Sequence, residues 1–189
     1  ETGPDIILLP EVAFNKSNFL KKVKQVYDKK GFCVIVASEG IRDSRGKFIA
    51  ESNTKDAFGH TQLGGVAPNL SDLISKKLKL KNHWAVSDYL QRSARHLASD
   101  VDLKHAFEVG KKAVIFADKG LYGVMPTIKR ISNSPYKWKI EATPIERIAN
   151  VEKKLPKSFI SNDGFGITKK GADYFSCLLY TSPSPRDGL

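Results

Sequence analysis

DIILLPEVAFNKSNFLKKVKQVYDKKGFCVIVA, residues 5–37, is the stretch that decides the fold of this chain. Two short apolar runs, residues 5–9 and 32–37, flank a segment with helical periodicity. Ser17 is a suitable N-cap for that helix, and Gly31 is a suitable residue to end it. A strand, a helix and a second strand in so short a stretch predict a βαβ unit with parallel buried strands and a right-handed crossover.

The rest of the chain continues the alternation of helices and strands. We expect a turn at DSRG, a helix from about residue 70 to 78, and a third parallel strand at HWAVS, residues 83–87. A longer helix follows, capped by Ser99 or Asp100 and ended by Gly120. Its predicted core face consists of Leu103, Phe107, Gly110, Val114 and Ala117.

Beyond that helix the pattern is weaker. Residues 121–128 have strand character, with Pro126 at an edge or strand end, and residues 134–159 look irregular or weakly helical. The sequence therefore predicts an α/β fold of Rossmann-like, three-layer α/β/α type, with a mainly parallel sheet and helices on both faces.

Composition excludes some classes of protein and leaves others open. The chain has 189 residues, 41% hydrophobic and 27% charged, as in ordinary soluble domains, and no run of membrane-spanning length. Two cysteines imply no disulfide framework. The net charge of +11 is compatible with nucleic acid, an acidic membrane surface or small phosphorylated ligands as partners. The lysines are scattered, and YKWK, residues 136–139, is the one basic cluster with interleaved aromatics.

Candidate ligand-binding residues follow the predicted strands, because ligands of open parallel sheets bind at the carboxyl ends of the strands. Glu11 follows the first strand, Ser38 and Glu39 follow the second, and DYLQRSARH, residues 88–96, follows the third. A carboxylate accepts hydrogen bonds from sugar hydroxyls, and guanidinium groups such as that of Arg92 bind phosphate in bidentate pairs. Alternatively, these are solvated surface charges.

Other motifs in the sequence give weaker evidence for a functional site. The histidines lack metal-ligand spacing, and no nucleophile-elbow motif is present. GHTQLGG, residues 59–65, is glycine-rich but lacks the spacing of a phosphate-binding loop.

A set of segments, taken in order, resembles the sugar-phosphate part of the phosphofructokinases, especially the longer pyrophosphate-dependent bacterial type. The resemblance extends to about residue 175. The matching segments are DIILLPE (5–11), VASEG (36–40), DAFGHTQLGGVAP (56–68), DYLQRSARH (88–96), VMPTIKR (124–130), YKWKI (136–140) and DGFGIT (163–168).

The resemblance implies roles for individual residues. Glu11 is expected to bind hydroxyls of fructose 6-phosphate. Tyr89, Leu90, Gln91 and Arg92 are expected to form a second substrate segment, with Arg92 on the 6-phosphate. HTQLGG, residues 60–65, resembles the His-x-Gln-Arg-Gly-Gly motif of shorter ATP-dependent relatives, but Leu63 replaces the arginine. We therefore interpret it as a conformational loop.

The resemblance also implies what the chain lacks. The family's Gly-Gly-Asp, Thr-x-Asp and Met-Gly-Arg segments lie upstream of the Pro-Glu strand and are missing here, so the catalytic base, Mg²⁺ ligands and donor site are expected elsewhere. We expect residues 1–176 to be the C-terminal, sugar-phosphate-binding part of a phosphofructokinase domain, a partial fold that is inactive alone. Residues 177–187 are similar to a translated sequencing adapter, and residues 177–189 are expected to be a non-native disordered tail.

For the intact protein the resemblance implies a cytoplasmic, glycolytic phosphotransferase. It would convert fructose 6-phosphate to fructose 1,6-bisphosphate with pyrophosphate, or alternatively ATP, as donor. We expect a homo-oligomer with Mg²⁺ as cofactor and with neither nucleic acid nor membrane as partner. Two alternatives remain: a nucleic-acid-binding domain, and a non-catalytic sugar-phosphate sensor.

Overall fold

The structure, a computed structural model, describes residues 3–49, 51–55, 61–63, 65–89, 93 and 98–179, with backbone alone at residues 51–55, 61–63 and 177–179. The chain divides into two compact units. The first unit comprises Glu1–Asp88 with Leu155–Thr168, and the second comprises Tyr89–Lys154 with Lys169–Leu189.

The first unit is built on the predicted βαβ motif. Strand β1 (Ile6–Leu8), helix α1 (Lys16–Lys30) and strand β2 (Ile35–Ala37) follow one another, and β1 pairs with β2 in parallel. The parallel pairing is confirmed. The predicted cap at Ser17 is wrong: Asn15 is the N-cap, and its side chain accepts a 3.0 Å hydrogen bond from the backbone N–H of Asn18.

The core of this unit lies between β1, α1 and a second helix. That helix, α2 (Val66–Leu78), begins four residues earlier than predicted. Apolar side chains of the three elements bury one another, as the helical periodicity of α1 predicts. The buried side chains include Ile6 and Leu8 of β1, Phe19 and Val23 of α1, and Val66, Leu70 and Ile74 of α2.

Strand β2 is covered on one face. Ile35 and Ala37 pack against the core, whereas Val36 is 52% exposed. Phe32 and Val34, which precede the strand, are 52% and 42% exposed. The expectation that both strands are buried on both faces is therefore wrong for β2.

The remainder of the first unit contains two further strands but lacks the predicted third parallel strand. Strands β3 (Glu51–Lys55) and β4 (Thr61–Leu63) pair antiparallel, and residues 43–46 form the predicted turn. Residues 83–87, predicted as a third parallel strand, adopt no strand conformation, and Trp84 and Val86 are about half exposed. Their apolar character does not suffice, because a strand also needs a partner for its backbone hydrogen bonds.

The second unit packs one helix on a long hairpin. Helix α3 (Asp100–Asp118) has the predicted N-cap, Ser99. Strands β5 (Val124–Asn133) and β6 (Tyr136–Pro144) pair antiparallel. Helix α4 (Lys169–Leu179) extends three residues into the segment expected to be a tail; residues 180–189 lie outside the described part of the chain.

Two predictions for this unit are wrong. Residues 136–144 form a strand rather than an irregular segment. Helix α3 does not bury its predicted face: Phe107 and Val114 are 69% and 70% exposed, whereas His105 is 7% exposed. The α/β class and the parallel β1–β2 pair are confirmed, and the other strand pairs of the described residues are antiparallel. Among the described helices, none is long and apolar enough to cross a membrane.

Candidate functional site

Glu11 lies directly beyond β1, where the chain turns after Pro10. One carboxylate oxygen, Oε1, accepts a 2.9 Å hydrogen bond from the backbone N–H of Leu155. The other, Oε2, is buried and has no hydrogen-bond partner among the described residues. A buried acceptor without a donor is costly, so this geometry suits a ligand that brings a hydroxyl or amine hydrogen to Oε2.

The end of β2 lies beside this turn. The backbone N–H of Ser38 donates to the carbonyl of Leu8 at 3.1 Å, and its hydroxyl accepts from the N–H of Gly40 at 3.2 Å. A Cβ added to Gly40 would meet the Cβ of Pro10 at 3.4 Å. The two strand ends therefore meet at one edge, as parallel pairing requires, while Glu39 remains exposed.

Residues 161–166 lie beside strand β1 and the turn that contains Glu11. The carbonyl of Phe165 accepts a 2.8 Å hydrogen bond from the N–H of Ile7, which fixes this segment beside β1. Gly164 has a φ of +74°, and a Cβ there would lie 3.1 Å from Cγ1 of Val12, the neighbour of Glu11. The segment thus restricts the backbone around the carboxylate.

Asp163 anchors that segment to α1. Its carboxylate accepts hydrogen bonds from Lys22 Nζ at 2.8 Å, Ser161 Oγ at 2.7 Å and the N–H of Phe165 at 3.1 Å. The Lys22 bond, followed by the Ser161 bond, lowers the pKa of Asp163 to about 2. Asp163 is therefore charged at neutral pH and joins the DGFG segment to the helix that follows Glu11.

Sequence reasoning singled out Glu11, whose role stays a prediction, but it did not identify the groups that contact the glutamate. Leu155 contributes a backbone N–H, which no side-chain pattern reveals. The DGFGIT motif was part of the resemblance without an assigned role, although its Asp-Gly pair signals a tight turn.

The second predicted substrate segment is only partly described. Tyr89 belongs to the second unit and is 69% exposed, and its carbonyl accepts a 3.0 Å hydrogen bond from the N–H of Ser93. Leu90, Gln91 and Arg92 lie outside the described residues, as does His60. The assignment of phosphate binding to Arg92 rather than to the HTQLGG loop therefore stays a prediction.

The basic aromatic cluster of β6 is engaged in packing. The Tyr136 hydroxyl lies 3.2 Å from Nε2 of His105, and the Trp138 ring meets the His105 ring edge-on at 4.5 Å between centroids. Lys139 pairs with Glu141 at 2.6 Å. These aromatic rings are held against α3, which disfavours base stacking on them.

The described residues offer no metal centre. No group of three or more His, Cys, Asp or Glu side chains lies close enough to hold an ion in the part of the chain that the structure describes. The described residues therefore supply no set of ligands that fits Mg²⁺. Cys33, packed against the core of the first unit, has its pKa raised by burial, which disfavours a reactive thiolate.

Comparison with known proteins shows which proteins this chain is similar to. No family model matches the chain. It is 52% identical over 180 residues to the pyrophosphate–fructose 6-phosphate 1-phosphotransferase of Xanthomonas campestris pv. campestris (strain B100), covering 95% of this chain and 43% of that protein. It is 52% identical over 174 residues to the enzyme of the same name from Methylococcus capsulatus, covering 92% and 41%.

The chain is also similar to a solved structure of a protein with a related name. The crystal structure of the pyrophosphate-dependent phosphofructokinase from Nitrosospira multiformis matches with a TM-score of 0.79 at 43% identity, covering 98% of this chain and 44% of that chain. The chain therefore spans less than half the length of these relatives.

Proposed function

This chain belongs to the pyrophosphate-dependent branch of the phosphofructokinase family, and we propose that it supplies the fructose 6-phosphate-binding part of such an enzyme. In the intact protein the terminal phosphoryl group of pyrophosphate would pass to the 1-hydroxyl of fructose 6-phosphate. The products would be fructose 1,6-bisphosphate and inorganic phosphate. Both substrates are named in the relatives' descriptions, which favours pyrophosphate over ATP as the donor.

The observation that carries the proposal is the asymmetric environment of the Glu11 carboxylate. The N–H of Leu155 fixes Oε1, whereas Oε2 is buried without a partner among the described residues. A sugar hydroxyl donating to Oε2 would satisfy that acceptor and orient the ring. A carboxyl oxygen whose neighbour is held by a backbone donor is a directional acceptor for a hydroxyl.

The phosphate end of the substrate is assigned to the second segment. We propose that the Arg92 guanidinium binds the 6-phosphate in a bidentate pair, with Tyr89, Leu90 and Gln91 completing the contact. We also propose that the Mg²⁺ ligands and the catalytic base lie outside this chain, which spans less than half the length of the relatives it matches. A cytoplasmic location, a role in glycolysis and a homo-oligomeric state belong to the same proposal.

A binding titration of the 189-residue chain with fructose 6-phosphate tests the proposal. Glu11→Gln keeps the size of the side chain but weakens it as an acceptor, so we expect the Kd to rise about tenfold or more. Glu39→Gln is the matched control, because Glu39 follows β2 and is exposed. Equal affinities for Glu11→Gln and the unchanged chain would contradict the role of Glu11.

The alternatives give different results in the same assay. A nucleic-acid-binding domain would bind oligonucleotides with an affinity that falls steeply with salt and is indifferent to Glu11. The packing of Tyr136 and Trp138 on His105 argues against it. A non-catalytic sensor would bind fructose 6-phosphate equally, and only an assay of the intact protein distinguishes it from an enzyme.

A further inference from the structure

The two oxygens of the Asp163 carboxylate have different partners. Oδ1 accepts hydrogen bonds from the Ser161 hydroxyl at 2.7 Å and from the backbone N–H of Phe165 at 3.1 Å, and these bonds lie within one tight turn. Oδ2 accepts a 2.8 Å hydrogen bond from Nζ of Lys22 on helix α1, 141 residues earlier in the chain. One oxygen therefore shapes the turn locally, and the other connects the turn to a distant helix.

This turn is the tip of a short hairpin, residues 159–168, which follows Leu155 closely. The ends of the hairpin are joined by a 2.8 Å hydrogen bond from the N–H of Thr168 to the carbonyl of Phe159. Only three residues separate the hairpin from Leu155, whose N–H binds Oε1 of Glu11. The position of that N–H therefore depends on what holds the 159–168 hairpin in place.

Two polar attachments on different elements hold the 159–168 hairpin in the first unit. The carbonyl of Phe165 accepts a 2.8 Å hydrogen bond from the N–H of Ile7 in β1. The ion pair between Lys22 and Asp163 attaches the same hairpin to α1. A single attachment permits rotation about it, whereas a second attachment to another element removes that freedom. The ion pair therefore contributes to the orientation of the hairpin as well as to its stability.

We propose that Asp163 is a positioning residue for the Glu11 carboxylate. Its pair with Lys22 keeps the 159–168 hairpin in place, and the hairpin in turn keeps the Leu155 N–H on Oε1. Asp163 does not contact the substrate and acts on it through Leu155 and Glu11. The identity of the ligand rests on the proposed function, whereas the dependence of Glu11 on Asp163 is a property of the folded chain alone.

Two substitutions on α1 separate positioning from stability in the full 189-residue chain. Lys22→Met breaks the pair with Asp163, and Lys30→Met breaks the pair of Lys30 with Asp5. The side chain of Asp5 is 6% exposed and that of Asp163 is 49% exposed, so Lys30→Met should lower the free energy of unfolding at least as much. Lys22→Met alone should raise the Kd for fructose 6-phosphate, by about threefold to fivefold.

Two further variants test whether the effect comes from the ion pair. Asp163→Asn retains an oxygen for Ser161 and Phe165 and loses the carboxylate oxygen that binds Lys22, so the Kd should rise as in Lys22→Met. The double variant should bind no more weakly than either single one, because both changes remove one interaction. Lys22→Arg keeps the cation and should leave the Kd within about twofold of the unchanged chain.

Amide hydrogen exchange, followed by NMR, gives a readout that needs no sugar. The Leu155 N–H is protected by its bond to Glu11, so Lys22→Met should speed its exchange more than that of Phe19, a core amide that reports global opening. Lys30→Met should speed the two amides by similar factors. If Lys22→Met does not fold, as judged by circular dichroism, Asp163→Asn gives the same comparison.

The outcomes distinguish this inference from the proposed function. Absence of fructose 6-phosphate binding by the unchanged chain overturns the proposed function, and exchange at Leu155 then decides whether Asp163 positions Glu11. The positioning role is overturned if Lys22→Met leaves the exchange of Leu155 no faster, relative to Phe19, than Lys30→Met does. In a chain that binds the sugar, a Kd that Lys22→Met does not raise more than Lys30→Met also overturns it.

Discussion

The backbone N–H of Leu155 donates a 2.9 Å hydrogen bond to the Glu11 carboxylate across 144 residues of sequence. This bond connects the turn after β1 to the segment that precedes residues 157–168. It fixes one oxygen of the carboxylate, and the other oxygen is buried without a hydrogen-bond partner among the described residues. The proposed sugar-binding role of Glu11 would thus depend on a main-chain donor as well as on the glutamate itself.

Removal of that donor should weaken substrate binding. Leu155→Pro eliminates the N–H, whereas Leu155→Ala retains it and removes only side-chain bulk. We expect Leu155→Pro to raise the Kd for fructose 6-phosphate several-fold more than Leu155→Ala, measured by calorimetric titration. Equal effects of the two substitutions would show that the hydrogen bond has no part in binding.

The Asp163 carboxylate should make stability depend on acid pH. Its folded-state pKa of about 2 lies below the ordinary value of 3.8, so the folded state favours the charged form. The stabilisation is present above about pH 4 and is lost as the pH falls towards 2. Because the Asp163 side chain is 49% exposed, we expect Asp163→Asn to cost no more than about 1 kcal/mol at pH 7, measured by urea unfolding.

Asp28→Asn is the control for this prediction, since Asp28 pairs with Lys24 one turn away on the exposed face of α1. Its removal should change stability by a few tenths of a kcal/mol at most. If Asp163→Asn unfolds with the same pH dependence as the unchanged chain between pH 2 and 4, Asp163 is not the anchor we describe.

His105 should give the second unit a different pH dependence. Burial, followed by the nearby Arg130 charge, lowers its pKa below the ordinary 6.5, while Asp102 acts in the opposite direction. The unfolded state therefore binds the proton more readily, and stability declines as the pH falls below about 6.5. The Tyr136 hydroxyl and the Trp138 ring are the other groups facing the imidazole.

His105→Phe tests this dependence, because it keeps an aromatic ring against Trp138 and removes the titrating group. We expect the slope of unfolding free energy against pH between 5 and 6.5 to become shallower than in the unchanged chain. A slope that persists in His105→Phe assigns the effect to another group.

Two glycine substitutions should have opposite effects on stability. Gly164 has a positive φ, and an added Cβ would lie 3.1 Å from Val12, so Gly164→Ala should cost roughly 1–2 kcal/mol. Gly110 is inside α3 with open space around it, so Gly110→Ala should stabilise by about 0.5–1 kcal/mol. Chemical unfolding of the chain measures both, and a destabilised Gly110→Ala would show that the space around Gly110 is restricted.

The chain alone should not turn over substrate. Phosphoryl transfer needs the donor, Mg²⁺ and acceptor positioned together, and the chain spans less than half the length of the relatives it matches. We expect no fructose 1,6-bisphosphate from fructose 6-phosphate, pyrophosphate and Mg²⁺ above the uncatalysed background, measured by coupled aldolase assay. Turnover by the isolated chain that disappears in Glu11→Gln would disprove this expectation.

Sequence patterns predicted those helices and strands whose evidence lies within the element itself. The βαβ unit was predictable because apolar residues such as Ile6 and Phe19 repeat with the strand and helix periods. Strand β6 was missed although Tyr136, Trp138 and Ile140 alternate with polar residues. Residues 83–87 were wrongly assigned as a strand because an apolar run does not reveal whether another strand lies beside it.

The sequence by itself determined that α3 has an apolar face and that a carboxylate follows β1, because hydrophobic periodicity and the order of residues are properties of the chain. Which face of α3 packs within the unit, and which donor holds Glu11, was decided only by the tertiary structure. The reason is physical: burial of His105 depends on rings supplied by β6, and the position of Glu11 depends on a main-chain N–H 144 residues away. The sequence around His105 and the sequence around Glu11 do not indicate which groups these residues contact.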